Sequence, residues 1–328
     1  MNFEPSYLKL FKSGELKERA IEAEKNLSNC TSCPRNCQID RKSGKLGSCL
    51  SGYFPIVSSY TAHFGEEPAL SGTKGAGNIF FGNCNLKCVF CQNFEISQNW
   101  KSEMLHEVSF ERLADIMIEL QNKGCHNIGL VSPTHFSPQI LISIYIAAEK
   151  GLRLPIIYNT NGYDSVEMLR LYQDVIDIYL PDFKYGDNYS GKTYSKVENY
   201  FDNASLAISE MYRQVGNSYV FDNNVLLRGL IIRHLVLPNG LSESEEVFRF
   251  ISEKLSPELF ISLMSQYYPT NKAQKDILIS RPIRLSEYEK AIYLLEKYNL
   301  KNGWIQEMES SEYYRPEFMK DRDKPFTE

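Results

Sequence analysis

The sequence predicts an α/β fold, a partial (β/α)6 TIM-like barrel that follows an N-terminal Cys-rich metal knuckle and precedes a C-terminal helical extension. Strand-like and helix-like segments alternate from Gly77 onward. The segments between the strands are amphipathic, and each strand ends in polar or turn residues. Alternation of this kind is typical of a parallel sheet, whose ligand-binding groups gather at the carboxyl ends of the strands.

The strands are short apolar runs, and the helices carry apolar residues on one face. Leu113, Ile116, Met117 and Leu120 show the helical spacing in the first helix after the cysteine loop. The predicted strands are 78–81, 127–131, 155–159, 176–180, 230–237 and 259–264, with a last one at 302–307. The predicted helices are 110–123, 137–150, 165–172, 203–215, 242–255 and 286–298.

Length and composition indicate one large domain with additions. The chain has 328 residues, and 43% of them are hydrophobic, which is enough for a full core. We expect a helical and Cys-rich metal-binding segment at 1–75, with a helix pair in 1–29. A barrel core at 76–270 and an extension at 271–328 follow, and we expect the charged tail at 321–325 to be frayed.

Charge and cysteine usage limit the classes of function. The net charge of −5 gives no reason to expect nucleic acid as a partner, and no apolar run is long enough to predict a membrane span. The first residues lack the apolar core of a signal peptide. Eight cysteines without an export signal indicate metal ligands rather than disulfides. We therefore expect a cytoplasmic protein.

Three cysteines after the first barrel strand form a C-x3-C-x2-C array, namely Cys84, Cys88 and Cys91 in GNIFFGNCNLKCVFCQNF. A [4Fe–4S] cluster normally takes four cysteine ligands. Three ligands leave one iron open to a small molecule, as catalytic metal sites keep a vacant position. A structural zinc site with one more ligand is the alternative interpretation.

A second set of cysteines lies upstream, in CTSCPRNCQIDRKSGKLGSC. Cys30, Cys33, Cys37 and Cys49 lie within twenty residues that also contain turn-forming proline and glycine, which predicts a metal knuckle. Zinc and an auxiliary iron–sulfur cluster both stay open for this site. The remaining cysteine, Cys125, is predicted to be a small buried hydrophobe.

The segment 53–72 alternates and then breaks into a loop, which predicts a strand or hairpin leading into the core. His63, Glu66 and Glu67 lie in this loop. They form either a capping loop with solvated carboxylates or part of the wall of a cavity over the cysteine loop.

Candidate binding residues stand at the strand ends. Tyr267 and Tyr268 also follow a strand, and we interpret them as packing at the barrel rim rather than as a cavity wall. The other candidates are Ser132 and Thr134 after the second strand, Asn159, Thr160 and Asn161 after the third, Asp182 and Lys184 after the fourth, Arg233 on the fifth, and Met264 and Gln266 after the sixth.

The cysteine array resembles that of the radical S-adenosylmethionine (SAM) superfamily, with Phe90 as the aromatic before the third cysteine. The chain is similar to the uncharacterised iron–sulfur proteins that resemble pyruvate formate-lyase activating enzyme. The similarity runs from about Cys30 to Pro269 through CTSCPRNC, SSYTAHFGEEP, GNCNLKCVFCQN, VSPTHF, NTNGY, LPDFKY, RHLVLPN and MSQYYP. It implies a [4Fe–4S] cluster on Cys84, Cys88 and Cys91 that cleaves SAM to a 5′-deoxyadenosyl radical.

The resemblance also implies roles for the strand ends. The segment from Ser132 to Thr134 stands where the superfamily meets the SAM amino group. NTNG at 159–162 resembles the DTNG of glycyl-radical activases, in which this segment surrounds SAM and a monovalent cation. Asn159 replaces the acidic residue, so the resemblance does not decide whether a cation binds here. Lys184 would meet the SAM carboxylate as a point charge. Arg233 would meet the carboxylate or the ribose, and Met264 and Gln266 would lie near the adenine.

The leading functional hypothesis is a radical SAM oxidoreductase that acts on a protein or peptide, including glycyl-radical activation. Its partners would be SAM and an electron donor such as flavodoxin or ferredoxin. The alternatives are methyl or methylthio transfer or small-molecule modification on the same scaffold, and a non-enzymatic iron–sulfur or zinc protein. Strict activase identity is disfavoured because the extra cysteines precede the cluster loop. No basic patch indicates RNA.

Overall fold

The structure, a computed structural model, describes residues 3–308 and 316–326. In this part of the chain nine strands form one sheet in the order β1-β2-β3-β4-β5-β7-β8-β9, and β6 pairs with β7. The strands are β1 Val57–His63, β2 Ala76–Phe81, β3 Ile128–Val131, β4 Ile156–Thr160, β5 Ile178–Pro181, β6 Val220–Asp222, β7 Val225–Leu235, β8 Phe260–Met264 and β9 Gly303–Ile305.

The helices precede the sheet and connect its strands. The N-terminal pair is α1 Tyr7–Ser13 and α2 Glu15–Asn26. Then come α3 Pro68–Ser71, α4 Phe94–Ser97, α5 Trp100–Glu103, α6 Phe110–Asn122, α7 Ser137–Glu149, α8 Val166–Leu171, α9 Asn188–Ser195, α10 Tyr200–Val215, α11 Ser244–Phe250 and α12 Leu285–Lys297. Short 3-10 helices occupy Met104–His106, Thr134–Phe136, Pro238–Gly240 and Asn271–Lys275, and a π-helical turn, Ile251–Leu255, continues α11.

The strands from β2 to β5 and from β7 to β9 pair in parallel along the sheet. Their carboxyl ends therefore meet at one edge, where the predicted binding residues stand. Strand β1 pairs antiparallel with β2, and β6 pairs antiparallel with β7. The α/β class, the mostly parallel sheet and all seven predicted strands are confirmed, with bounds that differ by a few residues.

Burial explains why these segments form these elements. Every residue of β2 is buried, and α7 packs against α6 and α2 with apolar residues around most of its surface. The helix pair predicted in 1–29 is present, and the hydroxyl of Tyr7 donates to the carbonyl of Leu154, which ties α1 to the start of β4. One apolar core runs from Tyr7 to Leu300. Cys125 is buried, as predicted.

One glycine shows how closely the strands approach each other. A Cβ at Gly129 in β3 would lie 2.1 Å from Oδ1 of Asn78 in the neighbouring strand β2. The Asn78 side chain donates to Glu66 Oε1 at 2.7 Å. Any larger residue at 129 would therefore displace the carboxylate loop that follows β1.

The tail prediction is wrong for the residues that the structure describes. Phe318 is buried beside Phe80, and Arg322 pairs with the fully buried Glu103 at 2.7 Å. We call residues 316–326 the C-terminal strap. Helix α9 and strand β6 were not predicted. Parts of the predicted terminal segments, residues 1–2, 309–315 and 327–328, lie outside the described residues.

Among the described residues, no helix combines the length and the apolar composition that crossing a bilayer requires.

Candidate functional site

A cavity of about 500 Å³ opens at the carboxyl edge of the parallel strands. Cys84, Cys88 and Cys91 form part of its wall. Eight of the ten predicted nucleotide-binding residues also line it: Ser132, Asn159, Asn161, Asp182, Lys184, Arg233, Met264 and Gln266. The structure therefore brings together residues that the sequence separates by about 180 positions.

The cysteine loop is held against α9, which the sequence did not predict. The amide of Lys87 donates to the carbonyl of Ser195 at 2.9 Å, and that of Val89 donates to Tyr194 at 2.8 Å. These bonds fix the loop between Cys84 and Cys91 by its backbone. The positions of the three sulfurs therefore depend on α9 as well as on β2.

Each of the three sulfurs has a polar neighbour. Cys88 Sγ lies 3.0 Å from Ser195 Oγ, and Cys91 Sγ lies 3.2 Å from Ser97 Oγ. Cys84 Sγ accepts from the Leu86 amide at 3.4 Å and from Asn161 Nδ2 at 3.5 Å. Hydrogen bonds to sulfur are one of the factors that set the potential of a cluster.

Burial dominates the acid–base behaviour of these thiols. It raises the pKa of all three, and the pKa of Cys91 rises to about 12, with the nearby Cys88 as the next cause. The thiols of the metal-free chain are therefore protonated at neutral pH. Loading of a metal centre here must release their protons.

The loops after β4 and β5 meet at one tyrosine. The hydroxyl of Tyr200 accepts from the Lys184 amide at 3.0 Å and donates towards the carbonyls of Asn161 and Asp182, each at 2.9 Å. Gly162 has a φ of +80°, and a Cβ there would lie 2.5 Å from the carbonyl of Asp182. The NTNG segment needs its glycine for this approach.

Lys184 Nζ lies 2.5 Å from Asp182 Oδ2 at the end of β5. Burial alone would lower the pKa of Lys184, but the Asp182 carboxylate reverses the direction and raises it. The ammonium therefore stays charged beside the cysteine loop. Lys184 is not a surface lysine, because its side chain is 16% exposed.

Arg233 is paired with two carboxylates in the cavity wall. Its Nε donates to Glu67 Oε1 at 2.7 Å, one terminal nitrogen donates to Glu67 Oε2 at 2.6 Å, and the same nitrogen contacts Glu66. The side chains of Glu66 and Glu67 are 9% and 5% exposed. This excludes their interpretation as solvated carboxylates.

Two of the predicted binding residues lie behind the cavity wall. The hydroxyls of Thr134 and Thr160 are 3.0 Å apart, and Thr160 donates to the buried Asp164 at 2.5 Å. They are thus placed to hold the loops after β3 and β4 together. Tyr267 packs its ring on Phe90 and donates to the carbonyl of Ile279, which agrees with its interpretation as rim packing.

Apart from His63, the residues that line the far side of the cavity were not predicted from the sequence. Trp304, Gln306 and Glu307 at the end of β9 line it, as does Phe326 of the C-terminal strap. The ring centroids of His63 and Phe326 are 4.2 Å apart. The strap therefore packs against β1 and β2 at this side of the cavity.

The N-terminal cysteines form a second group outside the cavity. The thiols of Cys30, Cys37 and Cys49 lie close enough to Cys33 to interact with it electrostatically. Burial, and then the charges of these neighbours, raises the pKa of Cys33 to about 12. All four are free thiols in the structure. The sequence predicted this grouping but not its buried neighbour, Arg41.

In this α/β protein, the ends of the parallel strands and a triple-cysteine loop surround one cavity. A model of the radical SAM superfamily matches residues 78–236. The uncharacterised protein MJ0674 of Methanocaldococcus jannaschii is 34% identical over 299 residues, which cover 87% of this chain and 80% of that protein. The chain belongs to the radical SAM superfamily.

Two further similarities are weaker. The uncharacterised protein MJ0808 of the same organism is 28% identical over 159 residues, or 44% of this chain and 46% of that protein. A solved structure of TYW1 with a lysine–pyruvate adduct bound has a TM-score of 0.42 and 12% identity, over 71% of this chain and 78% of that one.

The cofactors of this superfamily are a [4Fe–4S] cluster and SAM. The site fits both groups. Three thiols, of buried or half-buried cysteines, face one cavity, with hydrogen-bonding neighbours and the charged Lys184 beside them. Nucleotide-sized ligands occupy cavities of this volume. When bound, the two cofactors supply an organic radical.

Proposed function

We propose that this chain cleaves SAM reductively to a 5′-deoxyadenosyl radical, which abstracts a hydrogen atom from a protein or peptide. The observation that carries the proposal is that Cys84, Cys88, Cys91 and Lys184 face one cavity at the carboxyl edge of the sheet. Cys84, Cys88 and Cys91 would hold the cluster and leave one iron open to SAM. A carrier that only transferred electrons would need no such cavity beside its cluster.

The strand-end residues would orient SAM. Lys184 supplies a buried positive charge for the carboxylate of the methionine moiety, and the charge survives burial because Asp182 stabilises it. Ser132, Asn159 and Asn161 supply hydroxyl and amide groups on the same wall. Met264 and Gln266 lie at the end of β8, where they suit the apolar face and the edge of an adenine.

Arg233 has a different role in this proposal. Its guanidinium already neutralises two buried carboxylates, so it offers little net charge to a ligand carboxylate. It would hold the loop after β1 against β7. That loop carries Glu66, which lines the cavity together with His63 at the end of β1.

The size of the cavity supports a segment of a larger molecule as the substrate. A volume of about 500 Å³ lies within the range that one drug-sized ligand occupies, and SAM is such a ligand. Little space remains for a second one. A peptide backbone or side chain that enters from outside would fit, and the backbone glycine of a partner protein is one such segment.

The electron would come from a one-electron carrier of low potential, such as flavodoxin or ferredoxin. The chain's own part is to keep the cavity dry, so that the radical meets its substrate first. Phe80, Phe90 and Phe326 provide apolar wall for this purpose.

The first experiment measures SAM cleavage. The protein is reconstituted anaerobically with iron and sulfide, and dithionite and SAM are added. We expect 5′-deoxyadenosine and methionine from the native chain and from Cys125→Ala, and none from Cys88→Ala. A verified cluster without 5′-deoxyadenosine would contradict the proposal. S-adenosylhomocysteine as the main product would instead indicate methyl transfer.

A second experiment tests the substrate class. Extracts from cells grown on deuterated amino acids are separated into macromolecules and small molecules, and each fraction is added to the reaction. We expect deuterium in 5′-deoxyadenosine with the macromolecular fraction, and loss of that deuterium after protease treatment. Transfer from the small-molecule fraction alone would overturn the assignment to a protein or peptide.

A further inference from the structure

The N-terminal cysteines surround a buried positive charge that has no carboxylate partner among the described residues. Arg41 is 2% exposed, and the ion pairs of the described chain do not include it. Its Nη1 donates to the carbonyl of His135 at 2.7 Å, and its Nη2 lies 3.6 Å from Cys49 Sγ. Within the described chain, its Nε is buried and has no hydrogen-bond partner.

A buried guanidinium without a counter-charge is costly, because a charge removed from water must be paired. Besides the carbonyl of His135, the groups that face Arg41 are sulfurs, and neutral thiols do not supply negative charge. Four thiolates around a metal centre carry a net negative charge. The buried Arg41 is therefore explained if Cys30, Cys33, Cys37 and Cys49 act as metal ligands.

The local fold holds these cysteines in a compact knuckle. The amide of Cys30 donates to the carbonyl of Ile39 at 2.9 Å, and the amide of Gln38 donates to Cys30 at 2.9 Å. A Cβ at Gly47 would lie 3.0 Å from Cys37 Sγ, so the return of the chain towards Cys49 passes directly over that sulfur. The thiol of Cys33 has the other three as electrostatic neighbours.

Four cysteine thiolates are a ligand set for a structural zinc ion and for a [4Fe–4S] cluster alike. The position of the knuckle favours the cluster. A structural zinc ion gains nothing from a second metal centre beside it, whereas a redox-active cluster can exchange electrons with a neighbouring one.

The second group also lies beside the first. The ammonium of Lys87 interacts with Cys84 and Cys91 on one side and with Cys49 on the other. Arg35 donates to the carbonyl of Asn85 at 2.5 Å, next to Cys84. His135, whose carbonyl accepts from Arg41, lies with its Nε2 2.8 Å from the carbonyl of Gly82. The knuckle and the cluster loop therefore share buried polar neighbours.

We propose that Cys30, Cys33, Cys37 and Cys49 bind a second, redox-active iron–sulfur cluster, with Arg41 as its buried counter-ion. This proposal does not depend on SAM cleavage, and its test reads metal and spectra rather than activity. Iron, acid-labile sulfide and zinc are measured after anaerobic reconstitution. The chains compared are the native protein, Cys84→Ala/Cys88→Ala/Cys91→Ala, Cys33→Ala/Cys49→Ala, and Cys125→Ala as the buried control.

We expect about eight irons per chain in the native protein and in Cys125→Ala, because each cuboidal cluster holds four. Each of the other two variants should retain about half of the iron and sulfide. Four irons in the native chain, none in the triple variant, or one zinc in place of iron would overturn the proposal. If a variant does not fold, the iron content of the native chain still decides.

The role of Arg41 is tested in the triple variant, where only the second cluster contributes a signal. Arg41→Leu should move the midpoint potential of that signal to a more negative value, because the reduced cluster loses a buried positive charge. Arg41→Lys should restore most of the native value. An unchanged potential in Arg41→Leu, with full iron content, would overturn the assignment of Arg41 as counter-ion.

Discussion

The Lys184 ammonium lies 2.5 Å from the Asp182 carboxylate, two residues back along the same strand end, and points at the cysteine loop. If this charge binds the SAM carboxylate, Lys184→Met should weaken SAM binding about 10- to 100-fold, which is the usual worth of a charged hydrogen bond. Equilibrium dialysis with the reconstituted protein measures the change. Lys192→Met, an exposed lysine on α9, is the control. Equal affinity in the two variants would remove Lys184 from the binding site.

Arg233→Met should destabilise the fold by about 3–5 kcal/mol, because it leaves two buried carboxylates without a partner. The triple change Arg233→Met/Glu66→Gln/Glu67→Gln should recover most of this loss. Urea unfolding of the three proteins measures the difference. If Arg233→Met kept the native stability and lost only affinity for SAM, the result would instead support a direct contact between Arg233 and SAM.

Tyr200→Phe should loosen the two loops that face Lys184 without changing the cavity wall. In the native chain this hydroxyl accepts from the amide of Lys184 and donates towards the carbonyls of Asn161 and Asp182. We expect a loss of about 1–3 kcal/mol in unfolding free energy. Faster hydrogen exchange at the Lys184 amide should accompany it. Tyr189→Phe, at an exposed tyrosine, should show neither effect.

His234 should make the fold sensitive to acid. Its Nδ1 donates to the carbonyl of Phe183 at 2.7 Å, and burial lowers its pKa from 6.5 to about 4. In the unfolded chain the imidazole of His234 binds a proton near pH 6.5. In the folded chain it binds a proton only near pH 4. Stability is therefore complete above pH 6.5 and falls as the pH drops towards 4, by about 3 kcal/mol.

The measurement for His234 is urea unfolding at several pH values between 4 and 7. His234→Gln should be less stable at pH 7 but should show a flatter dependence on pH. His106→Gln should change the slope less, because burial also lowers the pKa of His106 but this histidine is partly exposed. If the stability of His234→Gln fell with pH as steeply as that of the native chain, the acid sensitivity would have to come from other groups.

The C-terminal strap should behave as part of the fold. Phe318→Ala removes a buried ring that packs on Phe80 and Phe326, which costs about 3–5 kcal/mol in a packed core. We expect the amides of 316–326 to exchange faster and the strap to become sensitive to protease. Met319→Ala, at an exposed neighbour, should behave as the native chain. Equal protection in both variants would contradict this packing.

Local patterns were sufficient to predict the sheet and the cysteine loop. Each parallel strand is an apolar run followed by turn residues, so both its position and the direction of its polar end could be read from neighbouring residues. Helix α9 was missed because its sequence, NYSGKTYS, is polar and lacks a clear apolar period. Asp187, whose side chain accepts from the Ser190 amide, was the one local sign of its start.

Pairings between distant residues could not be predicted. Glu66 and Glu67 resemble solvated residues in a loop, and only the fold brings Arg233 to them. The tail is a second case. Its consecutive charged residues resemble a solvated segment, and the sequence does not show that Arg322 pairs with Glu103. Charge by itself does not show whether a side chain is solvated or paired, because that depends on which partner the topology supplies.

Tyr200 joins the loops after β4 and β5. The part of the cavity wall that these two loops form is therefore rigid, and its residues cannot be redesigned one at a time. Trp304, Gln306 and Glu307 lie on the opposite half, outside this hydrogen-bond network. Mutant libraries that seek activity on foreign peptides should therefore diversify the end of β9 and leave the tyrosine junction unchanged. If Gln306 is left unchanged as well, because its Nε2 donates to Gln266 Oε1 at 3.1 Å, every member of the library inherits the proposed cofactor-binding residues intact.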